Sequence, residues 1–252
     1  MNRRRLAEAL LGAALLAVRR HGAIAAEPPG DPTREVSFGH DLLERIHALL
    51  KSLGAPRLDP FLAEWPGEAA SRRVTARSLP VLGYAPVFES KTPPWARSVT
   101  DELLRLAPSL QWGQSYPASA VGAQFLENYG WTEVAGLHGP IPSERVAIGF
   151  LMLGPATLYP RHRHEAEEIY VPLSGTAAWL GGDGIWRSEP PGAVIVHERN
   201  EPHAMRTSSE PLLALYLWRS ARLDQKSQLD PMRRARPCPA RDRGSIAVWR
   251  SR

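Results

Sequence analysis

The chain has a single cysteine, Cys238, among its 252 residues, so no disulfide can close within it. That fits a reducing compartment. No apolar run reaches the roughly 18 residues a membrane-spanning helix needs. Nor is the chain short of core-forming residues: a hydrophobic fraction of 43% with eight tryptophans excludes a disordered chain. There is no internal repeat. The length suits one large domain or two small ones.

The net charge of +5 is unevenly spread. From Arg219 to Arg252 there are ten Lys/Arg against three Asp/Glu. A basic tail can bind nucleic acid or acidic lipid, but no aromatic interleaves the charges between Arg219 and Arg243. It reads as a solvated C-terminus, and no nucleic-acid partner is expected. At the other end, Arg3–Arg5, the apolar Leu6–Val18 and Ala23–Ala26 have the three parts of a secretory signal, which would direct the protein to the periplasm. Glu8 interrupts the apolar run, and Arg19, Arg20 and His21 follow it. The balance favours an amphipathic helix, with Leu6, Leu10, Ala13 and Ala17 on one side, in a cytoplasmic protein.

Helical spacing dominates the first half. Leu42, Leu43, Ile46, Leu49, Leu50 and Leu53 form one stripe that Gly54 ends. A second helix is expected over Trp95–Leu106, with Val99, Leu103 and Leu104 inward and Pro108 as its stop, and a third over Glu68–Arg77. The Pro-rich stretches Pro56–Pro66 and Pro80–Pro94 read as surface connections. From about Trp131 the period becomes alternating. Val146–Leu153, Glu168–Leu173, Thr176–Leu180, Ile185–Arg187, Val194–His197, His203–Arg206 and Leu212–Trp218 are short strands between turn residues. This rhythm indicates an antiparallel sandwich or barrel. The expected layout is a helical region (1–130), a β-barrel (131–220) and a basic tail (221–252).

His162, His164, Glu168 and His203 offer three or four metal-binding side chains from two short segments. Alternate residues of a strand share a face, so His162 and His164 point the same way. Glu168 and Tyr170 share a face in the same manner if a turn near Glu165–Ala166 starts a new strand. Two imidazoles and a carboxylate with open positions suit Fe(II), Mn(II), Ni(II) or Zn(II). Three histidines and a glutamate can exceed what a small site uses, so His162 reads as a ligand, or as a group orienting one or touching substrate. His197 and His138 read as unrelated to the metal, Glu165 and Glu167 as solvated, and Cys238 as without a role.

The pattern His162-x-His164-x3-Glu168-x6-Gly175 resembles the first motif of the cupin superfamily. Gly184-x5-Pro190-x-Gly192 resembles the opening of the second, with the histidine displaced to His203. More narrowly, Tyr159-Pro-x-His162-x-His164-x-Ala166-x-Glu168-x-Tyr170, His203-Ala-Met205-x-Thr207 and Pro211-Leu-Leu-Ala-Leu-Tyr216-x-Trp218 are similar to the cupin-type dimethylsulfoniopropionate lyases. The resemblance implies a mostly β fold, a cupin-type double-stranded β-helix (jelly-roll) behind a helical N-terminal part. It implies a metal-dependent β-elimination giving dimethyl sulfide and acrylate. It places the metal on His164, Glu168 and His203, makes Tyr170 the base and sets Tyr159 beside metal and substrate.

Such a reaction makes physical sense of the residues. The proton next to a carboxylate is weakly acidic, so a cation must stabilise the developing charge, and the same cation favours a phenolate. Tyr159 competes with Tyr170 for the role of base. A sulfonium with no hydrogen to donate is best held on aromatic faces; Trp179, Tyr216 and Trp218 are candidates, with Trp186, Tyr129 and Trp131 near them in sequence. Singly, each reads first as a core or rim aromatic. The expected ligand is therefore a small sulfonium carboxylate. Rival readings are a cupin Fe(II) dioxygenase acting on a small organic acid or thiol, and a ligand sensor using the basic tail. The sequence leaves a homodimer open.

Overall fold

The computed structural model describes residues 39–67 and 70–230. The N-terminal helix or signal, Cys238 and the tail beyond Asp230 lie outside the described residues.

Helix α1 (His40–Leu53) follows the expected stripe, burying Leu42, Leu43, Ile46, Leu49 and Leu50. Gly54 closes it in the left-handed conformation and donates its N–H to the Lys51 carbonyl. The first Pro-rich stretch is partly helical: a tight turn at Pro56–Leu58 runs into α2 (Asp59–Ala63). The second likewise holds a turn at Pro80–Tyr84 and α3 (Ala85–Lys91). In both, the prolines occupy first-turn positions, where the missing N–H costs nothing. Helix α4 (Pro94–Leu106) starts on a proline and buries Ala96, Val99, Thr100, Leu103 and Leu106, while Leu104 is only half-buried. The helix expected over Glu68–Arg77 does not form: residues 70–77 hold no regular element beyond a bridge from Arg77 to Gln111, and Glu68 and Ala69 lie outside the described residues. Tertiary hydrogen bonds win there. Arg72 donates its backbone N–H to Pro140 and its guanidinium to the carbonyls of Gly136 and Gly139.

The barrel begins earlier and ends later than its alternating pattern. β1 (Trp112–Gly113) precedes the short helices α5 (Ala118–Val121) and α6 (Ala123–Glu127). Then come β2 (Tyr129–Gly136), β3 (Ile141–Pro142), β4 (Val146–Leu153), β5 (Leu158–Arg163) and β6 (Glu167–Ser174). β7 (Ala177–Leu180), β8 (Trp186–Glu189), β9 (Ile195–His197), β10 (His203–Thr207), β11 (Leu212–Arg219) and β12 (Gln228–Leu229) complete it. One sheet runs β1-β2-β4-β11-β6-β9, with β3 beside β2; the other runs β12-β5-β10-β7-β8. From β4 onward the chain crosses between sheets at nearly every strand. This is a double-stranded β-helix, and it faces residues of β5 and β10 toward those of β6 and β11.

The helices cover the outer face of the larger sheet. Ile148 and Phe150 of β4, Ile169 and Val171 of β6 and Leu215 and Leu217 of β11 join α1 and α4 in one core. Buried on both faces, β4 has no exposed residue, which is why Val146–Leu153 reads as an apolar run. Each fully buried Leu or Ile contributes about 1.5–3 kcal/mol. No helix among the described residues is long and apolar enough to cross a membrane.

Candidate active site

β5 and β10 pair antiparallel with His162 opposite His203, and His164 follows β5 at once. β6 supplies Glu168 and Tyr170, opposite Trp218 and Tyr216 of β11. Ring nitrogens of His162, His164 and His203 lie within 4.8 Å of one another, and all three residues are buried. Glu168 Oε2 is 2.9 Å from His164 Nε2 and 3.1 Å from His203 Nε2. Trp218 Nε1 donates to the other oxygen, Oε1, at 2.6 Å. All four sequence-predicted ligands therefore converge.

Their donor chemistry fits a divalent metal. Each imidazole turns Nδ1 to a main-chain carbonyl: His162 to Pro160 (2.9 Å), His164 to Ala166 (2.9 Å) and His203 to Glu201 (2.8 Å). A neutral imidazole has one N–H, and the carbonyl takes it, leaving Nε2 with its lone pair. For His164 and His203 that lone pair meets the Glu168 carboxylate, another acceptor. Acceptors so arranged call for a positive charge between them, and carbonyl-anchored Nδ1 is the usual support for an Nε2 ligand. His203 Nε2 is buried with no hydrogen-bond partner. Burial, then His203, push His162 well below the ordinary histidine range, keeping it neutral. Burial raises Glu168, but positive charge placed on His164 and His203 pulls it further the other way, to well below the usual carboxylate range, the same demand for a cation between these groups.

Tyr159 stacks on His162, with ring centres 4.1 Å apart, and its hydroxyl is 3.1 Å from that of Tyr129. Tyr170 leans on Trp179 at 4.9 Å. Burial first, then the negative Glu168, push the Tyr170 phenol well above its ordinary value. A cavity of about 290 Å³ opens onto these groups, lined at its inner end by Tyr159, His162, Glu168, Tyr170, Tyr216 and Trp218. Trp179 is not in that lining. It sits against Tyr170 and is buried. Trp186 lies under Arg206, whose guanidinium carbon is 4.5 Å from its ring centre.

Three features were not foreseen. Leu223–Ser227, read as tail, walls the cavity; it is held by Ser227 Oγ to Tyr116 Oη at 2.7 Å and by β12 pairing with β5. His197 stacks on His203 at 4.0 Å, nearly parallel, with neither nitrogen hydrogen-bonded. Glu133 lines the cavity from β2; its shared parity with Tyr129 and Trp131 was the available signal. Glu165 and Glu167 are not simply solvated: they pair with Arg199 and Arg219 at 3.1 and 2.5 Å.

A double-stranded β-helix with imidazoles converging inside it defines a cupin. The chain belongs to the dimethylsulfoniopropionate lyase family, whose sequence profile matches residues 63–214. Dimethylsulfoniopropionate lyase DddQ of Ruegeria pomeroyi is 34% identical over 122 residues, covering 48% of this chain and 61% of that protein. Putative dimethylsulfoniopropionate lyase DddL of Cereibacter sphaeroides is 33% identical over 139 residues, 53% of this chain and 57% of the other. The chain thus spans about three fifths of the length of these curated relatives. The crystal structure of the Ruegeria pomeroyi DddQ matches with a TM-score of 0.69 and 29% identity, over 76% of this chain and 95% of that one.

Proposed function

We propose that this protein is a metal-dependent carbon–sulfur lyase that cleaves dimethylsulfoniopropionate to dimethyl sulfide and acrylate. The observation that carries the reading is the meeting of Nε2 lone pairs and the Glu168 carboxylate beside a buried phenol at the inner end of a cavity. Membership of the lyase family supports the choice of substrate.

His164, Glu168 and His203 would hold the metal, with His162 as a fourth ligand or a contact to substrate. When bound, a divalent cation supplies positive charge that accepts the substrate carboxylate and offsets the burial and Glu168 charge acting on Tyr170. Tyr170 Oη, having given up its own proton before substrate binds, takes as phenolate the proton from the carbon beside the carboxylate. That electron pair becomes the carbon–carbon double bond, and the carbon–sulfur pair leaves with neutral dimethyl sulfide. Tyr159, fixed by His162 and Tyr129, positions the same end of the substrate. Tyr216 and Trp218 offer aromatic faces to the sulfonium, each worth about 0.5–2 kcal/mol depending on desolvation. The Leu223–Ser227 wall keeps bulk water away from the reacting carbon.

The test is headspace detection of dimethyl sulfide from metal-stripped protein restored with Fe, Mn, Ni or Zn, beside a Tyr170→Phe control. Release that needs metal and the phenol is expected. No sulfide above the control with any metal overturns the proposal.

A further inference from the structure

Glu133 is a second carboxylate in the cavity, placed well away from the imidazoles. Glu133, Gly149, Tyr216 and Tyr170 are successive cross-strand partners over β2, β4, β11 and β6. Three strand spacings put the backbones of Glu133 and Tyr170 about 14 Å apart. The Tyr216 ring fills the interval, lying over Gly149, where a Cβ would meet its hydroxyl at 2.6 Å. Glu133 Oε1 accepts the backbone N–H groups of His138 (2.5 Å) and Gly139 (2.7 Å). Gly136 leaves room for the carboxylate, since a Cβ there would approach it to 2.5 Å. Among the described residues no hydrogen bond uses Oε2, and no basic side chain forms an ion pair with Glu133. Arg72 is close, but its guanidinium is spent on the carbonyls of Gly136 and Gly139.

One oxygen therefore holds a turn, while the other has no hydrogen bond in a residue that lines the cavity; burial raises the carboxyl above the usual carboxylate range, and the charges of His138 and Arg72 only partly offset it. A carboxylate placed so is costly unless a cation meets it. Trp131 lies two residues away on the same strand face and also lines the cavity.

We propose that Glu133 is the specificity residue for the cationic pole of the substrate, attracting the sulfonium with the faces of Trp131 and Tyr216 while the carboxylate pole lies at the imidazoles. The attraction needs no direct contact, because low-dielectric walls carry it across several ångströms. It rests on the lyase reading for the ligand's identity. Its kinetic signature is specific. The leaving group departs neutral, so the attraction acts on the bound substrate and fades as the carbon–sulfur bond breaks. Losing it raises KM without lowering kcat.

The experiment compares dimethylsulfoniopropionate with 4-methylpentanoate, its uncharged-tail isostere, in wild type, Glu133→Gln and Glu133→Asp. Gln keeps an oxygen for the two amides; Asp keeps the charge. Glu133→Gln is expected to raise KM for the sulfonium about tenfold with kcat unchanged or higher. Inhibition by 4-methylpentanoate should not change, and Glu133→Asp should recover part of the loss. An unchanged KM, or a parallel loss of 4-methylpentanoate binding, overturns the proposal, the latter by showing that Glu133 only supports the turn. If Glu133→Gln does not fold, equal wild-type affinity for the two ligands overturns it and preference for the sulfonium supports it. Should wild type release no dimethyl sulfide, the lyase reading alone fails. Tryptophan quenching by the two ligands then still decides the role of Glu133.

Discussion

Trp218→Phe should loosen the metal while leaving the fold intact. The indole N–H meets Glu168 Oε1 at 2.6 Å, and its ring lies 4.1 Å from that of His164. Phe retains the ring contact and removes the donor. Glu168 is buried at the cavity's inner end, so Oε1 loses the indole hydrogen bond where little solvent can replace it. A bond to a charged acceptor is worth about 1.5–3 kcal/mol. Without it the carboxylate holds a proton more tightly and is free to turn Oε1 toward the imidazoles. Metal affinity should fall about 10–100-fold, the range for lost outer support of a ligand. Competition with a chromophoric chelator measures this, with circular dichroism melting as the check on fold. Metal affinity equal to wild type, in protein that melts normally, would refute the reasoning.

Two further perturbations probe the surroundings of the site. Gly149→Ala pushes a methyl into the Thr132 carbonyl of β2 and then into the Tyr216 hydroxyl, so the backbone itself must give way and overpacking should cost about 3 kcal/mol or more of stability. Activity should fall with it, while metal affinity stays, as titration of the variant would show. His197 is held down to about 3 by burial, against about 6.5 in an unfolded chain. Its unfolded form binds the extra proton, so this contribution is complete above pH 6.5 and is lost as pH falls toward 3. The loss between pH 6.5 and 5 is about 2 kcal/mol. In urea unfolding of metal-free protein, His197→Phe should flatten that part of the pH profile; parallel profiles would contradict the assignment.

The strands and the clustering of His162, His164 and Glu168 were readable because both are local. β4, β6, β7, β10 and β11 lie within a residue or so of their sequence bounds, since alternation or an apolar run stops at turn residues. His162, His164 and Glu168 share a short stretch; strand parity turns His162 and Glu168 inward, and His164, just past β5, is held by the Ala166 carbonyl. What escaped depends on distant partners. Residues 70–77 are not helical because Arg72 finds carbonyls at 136, 139 and 140. The prolines of 56–66 and 80–94 start helical turns once Leu58, Phe61, Val81 and Phe88 have a sheet to bury against. Gln228 and Leu229 carry no strand signal; they extend only because β5 presents an edge at Arg163 and His162. His197 is buried through its stacking on a residue of another sheet.

The aim of the three imidazoles is set by the main chain, through the carbonyls of Pro160, Ala166 and Glu201. Strand geometry thus fixes Nδ1 of each ring, while Tyr159, Trp218 and His197 pack against the ring faces. Changes to chamber walls that leave those carbonyls and packed rings in place should not re-aim the imidazoles. That division leaves the far end of the chamber open to change without disturbing the buried cluster.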